Sequence, residues 1–154
     1  MFGRLFGKRK KFEEPMEPYI YSQELVLSWS VDSEGWVSPF IEFGEQAEIY
    51  IGSKEGTDKP LDSSCNTMLE AKNNIKLLHL LALDFLKDNA ESFVKERFKT
   101  ELTSEFLIPT GISMFEHEET PDQFTLTYDP LFDSGAIWKV HFKGFRPYDW
   151  GFDD

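Results

Sequence analysis

The 154-residue chain carries 28 acids against 16 Lys and Arg, a formal charge of −12, with 40% apolar residues, 16% aromatics and one cysteine. That length suits one domain with a closed core, and bulky apolar content excludes a disordered chain. The single Cys65 excludes an internal disulfide, and an acidic body without a basic stripe makes nucleic acid an unexpected partner.

The charge is unevenly placed. Met1 to Lys11 holds Arg4, Lys8, Arg9, Lys10 and Lys11 and no acid. Removing these five cations from 16 leaves 11 against 28 acids, so residues 12–154 carry −17. Residues 1–18 read as a basic tip and linker, closed by a charge run and Pro15 and Pro18, and residues 19–154 as a single α+β domain. No apolar run of signal-peptide length follows the first charges. The longest apolar-rich stretch, Ile75 to Leu86, is broken by Lys76, His79 and Asp84, short of the roughly 20 residues of a spanning helix. The expected location is cytoplasmic, peripheral to a membrane at most through the tip.

The body opens with strand patterns. Leu25, Leu27, Trp29 and Val31 alternate with smaller or more polar neighbours. Asp32-Ser33-Glu34-Gly35 has turn chemistry. Val37, Ile41 and Phe43 predict a second strand, Gly44-Glu45 a turn, and Ala47, Ile49 and Ile51 a third strand, together an antiparallel meander. After a loop from Ser53 to Asp62 the period changes: Met68, Ala71, Ile75, Leu78, Ala82 and Phe85 make a helical stripe with Ser63 or Ser64 as N-cap. Ala90, Phe93, Val94 and Phe98 continue it to about Lys99, and Leu102 to Leu107 suits a further short helix. Strands resume after Pro109-Thr110-Gly111, at Ile112 and Met114, at Phe124, Leu126 and Tyr128, and at Ala136, Trp138, Val140 and Phe142, with Lys139, His141 and Lys143 facing outward. These patterns predict a two-layer α+β fold: a mostly antiparallel sheet of about six strands, in the order three strands, helices, three strands, with helices on one face. Trp29, Ile49, Leu78, Phe85, Leu126 and Trp138 are expected in one core.

Gly35-Trp36, Phe40-Ile41-Glu42-Phe43-Gly44-Glu45, Ala47-Glu48-Ile49-Tyr50-Ile51, the long helix after Ser64, and Phe124-Thr125-Leu126-Thr127-Tyr128-Asp129 with Leu131-Phe132 span about Leu25 to Gly144. In these segments the chain resembles a family of small uncharacterised bacterial proteins, a domain of unknown function. Members often place a Gly-His pair after the Leu-Phe step; here Gly135-Ala136 stands there, so that histidine is absent. The family is similar in size and acidity to immunity proteins of bacterial toxin systems, which implies a binding protein by analogy alone.

Catalytic chemistry has few footholds. Cys65 at a helix start is the best nucleophile candidate, because a helix N-terminus lowers a thiol pKa, yet no motif places a histidine beside it and a packing role is expected. His79 flanks the helical stripe, His117 sits with Glu118 and Glu119 in an acidic turn, and His141 lies between two lysines. None has zinc-type spacing. Asp129 and Asp133 flank a turn whose Pro130 and Gly135 explain them as turn residues. No nucleophile elbow, phosphate loop or dinucleotide fingerprint is present. No catalytic residue, metal or cofactor is therefore expected.

The expected function is a non-enzymatic protein-binding domain whose acidic surface engages a basic partner, of an immunity or regulatory type. Glu42, Glu45 and Glu48 are the expected contact carboxylates, with Phe40 and Tyr50 as outward anchors. One alternative is a peripheral membrane protein held by Phe2, Leu5 and Phe6 with Arg4, Lys8, Arg9, Lys10 and Lys11, at about 1 kcal/mol per cation on anionic lipid. Another is an enzyme without a recognisable motif. The aromatic C-terminal segment, with Phe145, Tyr148, Trp150 and Phe152, either folds over its own core or docks on a partner. The oligomeric state is left open.

Overall fold

The computed structural model describes residues 17–53, 58–116 and 120–154. They form β1 (Tyr19–Ser22), β2 (Leu25–Ser30), β3 (Gly35–Pro39), β4 (Glu48–Gly52), α1 (Asp62–Asn73) and α2 (Ile75–Phe98). A single 3-10 turn at Ser104–Phe106 then leads into β5 (Leu107–Phe115), β6 (Gln123–Pro130), β7 (Ile137–Lys143) and β8 (Arg146–Asp153). All eight strands lie in one sheet in chain order. Every neighbouring pair is antiparallel except β4 and β5, which run parallel with Ile49 opposite Ile112.

This corrects the expected two-layer α+β fold with about six strands: the sheet is larger and mixed, and it dominates the fold. The two additional strands are the outermost ones. β1 holds only four residues beside Pro18, which reads as linker chemistry. β8 hides its alternation behind Pro147 and a bulge opposite His141 and Phe142, where one extra residue breaks the period of two. The parallel pair follows from connectivity, since strands joined through a long helical crossover can run the same way whereas a short turn cannot make them do so. Ile41 and Phe43, expected in the second strand, lie in turns after β3 ends at Pro39.

Side chains alternate across the sheet, and one face meets the helices. Leu27, Trp36, Ile49, Ile112, Leu126, Val140 and Phe142 join Met68, Ala71, Ile75, Leu78, Ala82, Leu86, Ala90 and Val94 in one buried cluster. The helical stripe runs through both helices because Asn74 interrupts them without shifting the spacing: its N–H is shared between the Glu70 and Ala71 carbonyls, and its Nδ2 donates to the Glu70 carbonyl at 2.9 Å. α1 begins without a side-chain cap from its own first turn. Instead the Leu61 N–H donates to Oε1 of buried Glu116, just beyond β5, at 2.9 Å, which satisfies one of the free donors of a helix start. The expected caps Ser63 and Ser64 lie inside the helix, and Ser64 is buried. Trp150 and Phe152 of β8 stack on Trp138, with Phe93 of α2 against all three rings. The C-terminal aromatics thus fold over their own core, while Phe145 and Tyr148 stay exposed.

Among the described residues no helix is long and apolar enough to cross a membrane. Phe2, Arg4, Leu5, Phe6, Lys8, Arg9, Lys10 and Lys11, and the turn His117 to Glu119, lie outside the described residues.

Candidate functional site: an acidic turn beside the sheet face opposite the helices

The connection from β3 to β4 is short, and its backbone is closed by its own hydrogen bonds. Phe40 N–H donates to the Ala47 carbonyl at 2.8 Å, Phe43 N–H to the Phe40 carbonyl at 3.0 Å, and Ala47 N–H to the Gly44 carbonyl at 3.0 Å. Three apolar legs fasten this double turn, since Phe40, Phe43 and Ala47 are all buried. Phe43 meets Phe40, His79 and Tyr128 at ring distances of 5.8, 5.7 and 5.9 Å. A Cβ on Gly44 would fall 2.7 Å from the Pro109 carbonyl oxygen, so glycine allows the turn to lie directly on β5.

What the legs hold outward is acidic. Glu42, Glu45 and Glu48 are exposed, and Ile41 beside them is 73% exposed. Of the two expected anchors the structure removes one: Phe40 is completely buried and anchors the turn to the core. The physical reason is that β3 runs in the opposite phase to the expected one: Trp36 and Ser38 are buried and Val37 lies on the other face, so the period of two carries Phe40 inward opposite buried Ala47. Glu42 borders a shallow groove of about 510 Å³ with Lys72 and Lys76, so its charge is partly offset. Glu48 and Tyr50 lie on β4.

Strand register places Glu48 and Tyr50 on the face that the helices do not touch. Val37, Tyr50, Ser113, Thr125 and His141 stand opposite one another across β3 to β7, and each is half-buried. The Tyr50 hydroxyl donates to the Ser33 carbonyl at 3.1 Å, and its ring meets Phe115 at 5.6 Å and 67°. Phe115 is 63% exposed. Sequence reasoning placed Ile41 in a strand and passed over Phe115; the available signal for Phe115 was glycine at strand position 52, where a large neighbour has room to lie on the backbone.

Beyond Phe115 the same face forms a cleft of about 230 Å³ with Ser113, Thr125, Lys139, His141 and Tyr148 on its walls. His141 Nδ1 and the Thr125 hydroxyl share a hydrogen bond of 2.8 Å, and Lys139 is ion-paired with Asp153. His79 and Tyr128 form a separate buried polar pair, 2.9 Å from Nδ1 to the hydroxyl. Burial pushes the Tyr128 phenol up and the His79 imidazole down. Cys65 is fully buried, and burial with the charges of Glu116 and Asp62 pushes its thiol up to about 12. At neutral pH it offers no thiolate. Asp133 accepts from the Trp138 indole N–H at 3.3 Å and its carbonyl from Ala136 N–H at 3.2 Å, which is turn bonding. Among the described residues no three His, Cys, Asp or Glu side chains converge as metal ligands.

Comparisons with family models, with curated proteins and with solved structures find no match. Function is therefore argued from the chain's own surface.

Proposed function

We propose that the protein is a non-enzymatic binding domain, immunity-like or regulatory in kind, that captures a basic protein through the acidic turn and the adjoining sheet face opposite the helices. The observation that carries this is the turn itself: three exposed carboxylates, Glu42, Glu45 and Glu48, stand beside the exposed Ile41 on a backbone pinned by the buried Phe40 and Phe43. A pinned turn loses little conformational freedom when a partner docks. The charge of residues 12–154 draws that partner in, and electrostatic complementarity acts chiefly on the association rate. Tyr50 supplies an aromatic contact beside Glu48.

The test starts with capture of partners from the native cell and measurement of association rates. With a stoichiometric basic partner, the on-rate falls on the order of tenfold as salt rises, and the off-rate changes less. The combined substitution Glu42→Gln, Glu45→Gln and Glu48→Gln lowers the on-rate at low salt and flattens its salt dependence. An on-rate indifferent to both salt and the triple change removes the proposal.

A further inference from the structure

Two rings on the face opposite the helices are seated in a way that the sheet itself provides for. A Cβ at Gly35 would collide with the Tyr50 ring, and one at Gly52 would lie 2.6 Å from Phe115 Cδ1. Each glycine therefore lets an aromatic side chain from a neighbouring strand lie on its backbone. Tyr50 is further tied by its hydroxyl to the Ser33 carbonyl. The rings meet at 67°, forming a corner whose outer wall is Phe115, 63% exposed. One exposed carboxylate, Glu34, adjoins the corner in the turn that carries the Ser33 carbonyl. Burial and then the charge of Glu34 push the Tyr50 phenol up, while Glu48 lies two residues before Tyr50 on the same face, opposite Gly111 and towards the far end of the strand pair from Gly52 and Phe115.

An exposed ring beside a carboxylate attracts a cation over its face, and a planar, weakly hydrated guanidinium stacks there better than an ammonium. We infer that the Tyr50–Phe115 corner is the seat for an arginine side chain of the basic partner. This rests on the function proposed above and names the residue type that the partner must present. Glu34 sets its sign and the rings its shape.

The full chain is titrated with hexa-arginine and hexa-lysine peptides at several salt concentrations. Hexa-arginine binds more tightly than hexa-lysine, and Phe115→Leu weakens hexa-arginine about threefold at every salt concentration. Phe115→Tyr, which keeps a ring, binds as the parent does. The Glu42, Glu45 and Glu48 to Gln triple changes the salt dependence and leaves the preference for arginine over lysine. If Phe115→Leu and Tyr50→Leu, both folded by their unfolding transitions, bind hexa-arginine as the parent does, the arginine seat is overturned while charge steering stands. Equal affinity for the two peptides overturns it as well. Loss on Phe115→Leu with no response to salt or to the triple supports the seat and removes the steering.

Discussion

His79 lies between Phe43 and Tyr128, with Nδ1 2.9 Å from the Tyr128 hydroxyl. Burial holds its pKa below the ordinary 6.5, so the unfolded chain takes up a proton more readily than the folded one. A histidine with a depressed folded pKa favours the native state at high pH, and that stability is lost as pH falls through about 6.5 towards the lower native value. Urea unfolding of the parent should therefore weaken from pH 7 to pH 5 by more than that of His79→Gln, the carboxylates contributing equally to both. Equal pH slopes would show that His79 makes no such contribution. Because Phe43 is also a leg of the acidic turn, the protonation bears on how firmly Glu42 and Glu45 are presented. The sequence showed His79 only as a residue on the flank of an apolar stripe. Its hydroxyl partner stands on a strand 49 residues away, and a helical period carries no information across that separation.

At the scale of elements, α2 stops at Phe98 because Lys99 turns into the left-handed region, with φ 56°. Glycine takes that conformation without a Cβ clash, and helices commonly end on it. Lys99→Gly is expected to raise stability by about 0.5–1 kcal/mol, seen as a higher denaturant midpoint with an unchanged slope. The helical stripe was legible because its spacing of three and four survives Asn74, and buried Met68, Ala71, Ile75, Leu78 and Ala82 stand where the period puts them. Phe85 is displaced to the flank and Leu86 takes the buried position. β6 and β7 were legible for the same reason, since each alternates cleanly between buried and half-buried or exposed positions. The outermost strands were not, because a four-residue strand and a bulged one carry too few periods to stand out. Nor does alternation say which strands become neighbours, so the parallel pairing had to come from the structure. Of the proposed contact residues, the exposed positions of Glu42, Glu45 and Glu48 follow from local polarity, whereas the burial of Phe40 depends on the phase of β3, which the apolar residues on both of its faces, Trp36 and Val37, leave open.

Across the whole molecule, Trp138 connects the last three strands to the helical side. It is fully buried, 5.2 Å from Trp150, 5.3 Å from Phe132 and 6.0 Å from Phe152 by ring centroids. Truncation to Ala would leave a void under β8 and cost about 3–5 kcal/mol, a large part of the stability of a domain this size. An unchanged midpoint for soluble Trp138→Ala would show that the aromatic cluster contributes little. Trp29, Ile49, Leu78, Phe85 and Leu126 belong to the same core or pack against it, so a single substitution at Trp138 is expected to weaken the unfolding of the whole sheet and helices together.

The lone parallel pairing also has a consequence for biosynthesis. As the polypeptide leaves the ribosome, β1 to β4 are made before the helices and β5, so β4 waits as a bare edge with one side unhydrogen-bonded. Its sequence, Glu48-Ile49-Tyr50-Ile51-Gly52, is rich in strand-forming residues, and such an edge invites pairing with another nascent chain. Glu48 places a charge at the mouth of that edge, the kind of gatekeeper that discourages such pairing. The carboxylate proposed as a contact in the finished protein thus stands where it would also guard the unfinished one from its siblings.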